Sequence, residues 1–253
     1  MLGYITEHLA ETGKYFTFVG ETLRSIIERP YRPGRIISEM EHLGVNSITV
    51  IFLSGCAIGM IFALQMVSLL QPFQAEIGTG AAVAVALARE FAPIITTLML
   101  IAKNGSAMAA EIGTMRVTEQ IDALESMSVS PVHYLVVPRV IASICIFPAL
   151  TMLANIVGVI GAYVVSTKLY GIDSASYLDY MFDVLSPLDV HIGLIKASIM
   201  GFMVSTICCY FGMNTKAGAK GVGNGATRAV VVSSVSILVA DYILATLIMI
   251  ILS

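Results

Sequence analysis

The chain has 253 residues, of which 57% are hydrophobic and 12% charged, with a mean hydropathy of +0.87; soluble domains carry about 25% charge, so this composition describes an integral membrane protein. The 14 Lys and Arg against 17 Asp and Glu form no basic run able to follow a phosphate backbone, and no nucleic acid is expected as a partner. Cys56, Cys145, Cys208 and Cys209 all lie in apolar stretches, as small hydrophobic side chains rather than ligands or disulfides.

The first residues, MLGYITEHLAETGKYF, are polar and acidic where a secretory leader is basic and then apolar, so no cleaved signal is expected. Ile5, Leu9, Phe16, Val19, Leu23, Ile26 and Ile27 then recur at helical spacing up to Pro30 and Pro33. With charges between them, they predict an amphipathic helix lying in the membrane interface or packed on a soluble partner, not a span. Residues 1–42 form this N-terminal element and its connection, and residues 43–253 a five-span domain. The first span falls within 43–75, uncharged and carrying a GxxxG at Gly55 and Gly59. The second, 77–102, is apolar except for Arg89 and Glu90 near its midpoint, and Gly105, Ala109 and Gly113 follow at intervals of four. Such small-residue stripes pack helices closely, within one chain or between two copies.

The loop EIGTMRVTEQIDALESMSVSP, residues 111–131, predicts a short helix. Thr118 is the expected N-cap, Glu119 and Asp122 occupy the first turn where the helix dipole favours acids, and Pro131 ends the segment. Ile121, Leu124 and Met127 or Ser128 then share one face, a stripe able to dock into another protein's groove or to lie back on its own bundle. The third span lies within 140–167, and an acidic loop follows with Asp173, Asp179, Asp183 and Asp189. The fourth, 187–212, contains Lys196. The Gly-rich run AGAKGVGNGAT, 217–227, lacks the GxxxxGK[ST] phosphate-loop pattern and is expected to be a flexible connection. The fifth span, 229–253, contains Asp241. Long unbroken apolar runs exclude period-two strands, so the fold class is all-α.

With the N-terminus inside, the inner segments hold Lys14, Arg24, Arg29, Arg32, Arg35, Lys103, Arg116, Arg139, Lys216, Lys220 and Arg228, whereas the outer loops hold only Lys168. This predicts an N-in, C-out topology with the short helix in the cytoplasm. No inverted repeat is visible and five spans do not divide in two, so one chain reads as half of an assembly. None of His8, His42, His133 or His191 begins an HExxH, and no GxSxG is present. No enzymatic activity or cofactor is expected in this chain, and any ATP would be bound by another.

A charge at mid-bilayer costs about 3 kcal/mol or more unless paired or hydrated. Arg89 and Glu90 are adjacent, so they project about 100° apart on a helix and need partners on other helices. The simplest pairing joins Arg89 to Asp241 and Glu90 to Lys196. Such pairs either fix helix register or line a hydrated pocket for a charged headgroup.

LAREFAP at 87–93, KNGSAMAAEIGTMRVTEQIDALESM at 103–127 and SPVHYLVVPR at 130–139 closely resemble the signature of the MlaE family of permeases, and the similarity continues through YGID at 170–173, LIKAS around Lys196 and ATRAVVVSS at 226–234. These are membrane subunits of ABC transporters that move phospholipids and other lipids. The resemblance implies a multi-pass homodimer in the bacterial cytoplasmic (inner) membrane, serving outer-membrane lipid asymmetry. It also implies ABC ATPase subunits that bind ATP and Mg, an MCE-domain protein on the outer side and, in many systems, a STAS-domain protein. Glu119, Gln120, Ile121, Asp122 and Leu124 match the family's coupling helix, which seats in the ATPase. Arg89, Glu90, Lys196 and Asp241 match its polar pocket. The alternative is an ion-coupled secondary carrier using Asp241 or Glu90 as proton site, and a third reading is a scaffold without transport.

Overall fold

A computed structural model describes residues 2–28, 32–216 and 218–252, and the side chains among residues 11–250. The described residues are helical and contain no strand. In order they form α1 (Leu2–Ile27), α2 (Pro33–Val45), α3 (Ile48–Leu70), α4 (Thr79–Ala86), α5 (Ala92–Leu100), α6 (Ser106–Val117), α7 (Gln120–Ser126), α8 (Val137–Val164), α9 (Ser174–Val184), α10 (Pro187–Met213) and α11 (Ala219–Leu252). Five stretches among them are long and apolar enough to cross a membrane: Ile48–Phe73, Glu76–Val117, Val132–Leu169, Pro187–Met213 and Ala219–Ile250. The second runs for 42 residues, about twice what a bilayer core requires. Its apolar half ends near Ala102, and α6 carries the same helix on to α7.

Residues 219–227, expected to be flexible, are helical and open α11. A glycine inside a helix costs about 1 kcal/mol relative to alanine. Here the absence of side chains permits a close contact that offsets the cost. A methyl group at Gly221 would overlap the Lys216 carbonyl, and one at Gly225 would come within 2.9 Å of Thr215 Oγ1. Gly218, at φ +89°, makes the turn.

The chain divides into two compact units. The first comprises Met1–Leu43, Ile101–Ser143 and Gly201–Ser236. In it α1 separates its predicted apolar stripe into two sides. Tyr15 and Phe18 meet the Tyr210 ring at 5.5 and 5.6 Å, and Tyr15 shares a hydrogen bond of 3.0 Å with Thr206. Val19 and Ile26 turn partly inward, whereas Phe16, Leu23 and Ile27 stay exposed on a surface suited to lipid. The Ile5 and Leu9 side chains lie outside the described set. Buried Arg139 ties three helices together, with Nη2 2.9 Å from Glu111 of α6 and Nε 3.4 Å from Glu39 of α2.

The second unit comprises Gly44–Leu100, Ile144–Met200 and Ile237–Ser253. The GxxxG of α3 is spent inside it. Gly55 lies against Ala154, and a side chain at Gly59 would overlap the Gly158 carbonyl, so α3 and α8 touch backbone to backbone. Of the two uses open to this motif, packing within one chain is the one realised. Past the third span, Asp173 caps α9 by accepting from the Ser176 amide at 2.9 Å and from its hydroxyl at 2.8 Å. These bonds favour the ionised form, with the amide bond contributing most, and hold the carboxyl below the usual carboxylate range. The buried ring of Tyr177 docks α9, edge-on to Tyr163 at 5.7 Å.

Candidate functional site

Residues Leu87–Phe91 form one π-helical turn between α4 and α5. Pro93 accounts for it: proline has no N–H to give the carbonyl four residues earlier, and its ring crowds that carbonyl. The carbonyl in question belongs to Arg89. Its partner is instead Lys196 Nζ, 3.2 Å away on α10.

Lys196 is fully buried, and its ammonium group makes two hydrogen bonds and a further ion pair. Nζ lies 2.5 Å from Glu90 Oε2 and 2.8 Å from Asp241 Oδ1, with the Arg89 carbonyl third. A lysine so placed has exchanged its hydration for two hydrogen bonds and two carboxylate counter-charges, which is what burial of a charge inside a span demands. The expected Glu90–Lys196 pair is present.

The expected Arg89–Asp241 pair is not. Asp241 is taken by Lys196, and Arg89 turns to Asp189, with Nη2 2.5 Å and Nε 2.6 Å from Oδ1. The reason is geometric. Arg89 and Glu90 project differently from their turn, so one helix partner cannot serve both, and α10 supplies an acid for one and a base for the other. Asp189, Gly193 and Lys196 recur at i, i+4 and i+7, one face of α10. Gly193 has no side chain to hold that face away, so it presses on the Ala88 carbonyl. Asp189 Oδ2 also accepts from the Ser186 amide at 3.0 Å, in the first turn of α10 where a carboxylate is favoured. Sequence reading missed Asp189 because it closes a run of loop acids; its spacing of seven from Lys196 was the available signal.

Burial sorts these five groups. The side chains of Asp189, Lys196 and Asp241 are 3%, 0% and 8% exposed, whereas those of Arg89 and Glu90 are 48% and 40% exposed. Arg89 and Glu90 line an open cavity of about 1010 Å³. Its remaining wall is largely apolar, from Leu188, Ile192, Ala245, Ile248, Met249 and Ile250, with Tyr242 and Thr246 adding hydroxyls. Of the four pocket residues expected from the sequence, two face the cavity and two stand behind them. The arrangement can hold a polar group at Arg89 and Glu90 with aliphatic chains alongside.

In the first unit, α7 differs from its predicted form. Thr118 does not cap it; its hydroxyl donates to the Thr114 carbonyl at 2.9 Å and it closes α6. A sharp turn through Glu119, at φ +60°, separates the two helices, and a threonine bound back to its own helix cannot serve the next one. Ile121 is fully buried in its own unit, Leu124 is half-buried, and Met127 is exposed. Asp122 pairs with Arg116 at 2.5 Å, while Glu119 and Gln120 are open to solvent. The apolar stripe therefore lies back on its own unit through Ile121, and the outward face is mainly acidic and polar.

Comparison with known proteins agrees with these features. The family model described as Permease MlaE matches residues 36–247. The chain is 39% identical over 247 residues to a protein named probable ABC transporter permease protein from Rickettsia bellii, covering 97% of this chain and 95% of that one. It is 36% identical over 210 residues to the intermembrane phospholipid transport system permease protein MlaE of Haemophilus influenzae, covering 83% and 80%. It is 35% identical over 227 residues to the chloroplastic protein TRIGALACTOSYLDIACYLGLYCEROL 1 of Arabidopsis thaliana, covering 90% and 65%. With the family match, five apolar helices and a charged cluster buried within them, the chain belongs to the MlaE permease family and is a multi-pass membrane permease of an ABC transporter.

Proposed function

We propose that the protein is the transmembrane subunit of an ATP-driven lipid transporter, with a glycerophospholipid as cargo. The observation that carries this reading is the cavity whose aliphatic wall of Leu188, Ile192, Ile248, Met249 and Ile250 meets Arg89 and Glu90. It matches an amphiphile, with acyl chains on the wall and headgroup at the charges, and not a small polar solute. The Haemophilus relative, named as the permease of an intermembrane phospholipid transport system, supports the same cargo class.

In this reading the chain is itself no enzyme, holds no cofactor and works as a homodimer. ATP and Mg belong to separate ATPase subunits, since the sequence carries no phosphate-loop motif. The concentration of Lys and Arg on the side of α7 supports a cytoplasmic position for that helix, with the permease in a bacterial inner membrane. There Glu119, Gln120, Asp122 and Leu124 seat α7 in the ATPase, while Ile121 anchors it to its own unit. ATPase closure pushes on α7 and so on α6 of the same unit. An MCE-domain protein receives or supplies lipid outside, and a STAS-domain protein rests on the ATPase.

The test is purification of the complex from membranes through a tag on the permease. An ATPase chain and retained phospholipid, identified by mass spectrometry, are expected together. A permease purified without an ATPase, yet active with an ion gradient, would establish the carrier reading through Asp241 or Glu90 instead.

A further inference from the structure

Resting on the lipid reading above, we propose that Arg89 and Glu90 form a headgroup site selective for zwitterionic phospholipids, the phosphate on Arg89 and the ammonium on Glu90.

The selectivity follows from which charges reach the cavity. Lys196 is fully buried, hydrogen-bonded to Glu90 and the Arg89 carbonyl and ion-paired with Asp241, so its ammonium group does not reach the cavity. Asp241 and Asp189 are buried behind the wall. A headgroup therefore meets one cation and one anion, supplied by adjacent residues of one turn that both line the cavity. Asp189 engages Nε and Nη2 of Arg89, and Lys196 engages Oε2 of Glu90, which leaves part of each half-exposed group facing the cavity.

The charge balance points the same way. Three carboxylates stand against two cations, a formal excess of one negative charge. An anionic headgroup such as phosphatidylglycerol adds a second negative charge and offers Glu90 only neutral hydroxyls, with no cation. A phosphoethanolamine or phosphocholine group is neutral overall and carries an anion for Arg89 and a cation for Glu90. Discrimination therefore arises from repulsion of the anionic competitor as well as from attraction of the zwitterion.

The experiment reconstitutes the purified complex in vesicles of equimolar phosphatidylethanolamine and phosphatidylglycerol, re-extracts it, and measures retained lipid by mass spectrometry. Phosphatidylethanolamine should be enriched about fivefold over its vesicle ratio, the factor given by one ion pair of about 1 kcal/mol at a half-exposed site. Glu90→Gln should bring the ratio back toward that of the vesicle, and Glu90→Asp should preserve it. Wild-type complex offered N-acylated phosphatidylethanolamine, which has lost its cation, should show no enrichment, a measurement independent of any variant's folding. Phospholipid retained at the vesicle ratio by wild type, or equal enrichment of the N-acylated lipid, overturns the headgroup assignment and leaves lipid transport standing. Absence of any retained phospholipid overturns the lipid reading itself.

Discussion

Gly193 of α10 presses on the carbonyl of Ala88 so closely that a single added methyl group would overlap the oxygen. One turn to either side, the same face of α10 delivers Asp189 to Arg89 and Lys196 to Glu90. The close approach is what lets one helix satisfy both members of an adjacent, oppositely charged pair.

Gly193→Ala should therefore destabilise the protein although alanine is the better helix former. The gain in helix propensity is at most about 1 kcal/mol, against a typical overpacking cost of about 1–3 kcal/mol where the contact is backbone and cannot move aside. Gly223→Ala, where nothing lies within 4 Å, is the control and should be neutral or stabilising. Thermal unfolding of both variants in detergent decides the point; equal midpoints would show that α10 can retreat without loss.

Double-mutant cycles should follow the observed pairs. Lys196→Ala strands Glu90 and Asp241 beside an empty site and should cost about 3–5 kcal/mol, with much of the loss recovered when both acids are also neutralised. Arg89→Ala and Asp189→Asn should couple by at least about 0.5 kcal/mol, whereas Arg89→Ala and Asp241→Asn should be nearly additive. Coupling in the second cycle and none in the first would assign Arg89 to the wrong helix.

Substitutions in α7 should divide by burial. Leu124→Asp and Glu119→Lys should lower the ATPase that co-purifies by about tenfold, equivalent to about 1.4 kcal/mol, while leaving the permease stable. Ile121→Asp should instead unfold the region around it, because it places a charge in a fully buried site. Undiminished ATPase with both surface variants removes α7 as the contact.

The cap of α9 makes a pH prediction. The Asp173 carboxyl is held lower in the folded protein than in the unfolded chain. Its stabilisation is therefore complete above the unfolded carboxylate range and is lost as pH falls through the folded value. Asp173→Asn retains an N-cap acceptor and should remove that acid-side slope from unfolding curves; a slope unchanged in the variant would place its origin in other acids.

The five spans, the helical class and the presence of Arg89, Glu90, Lys196 and Asp241 as charges requiring partners were all legible in the sequence. Each is a local property: about 20 apolar residues must be helical in a bilayer, and a charge among them is visible by contrast alone. Pairing is not local. Whether Arg89 meets Asp241 or Asp189 depends on the π-helical turn that Pro93 forces and on how near α10 comes at Gly193. Asp189 carried no contrast of its own, since at the start of a span it reads like any loop acid. The Gly-rich run 217–227 misled for the same reason: glycine destabilises an isolated helix, and only contacts with Thr215 and Lys216 reverse that preference. Likewise Ile121 shows an apolar stripe in sequence, but the direction it faces depends on the αL turn at Glu119. Hydropathy settles which residues leave water, and the tertiary structure decides which of them meet.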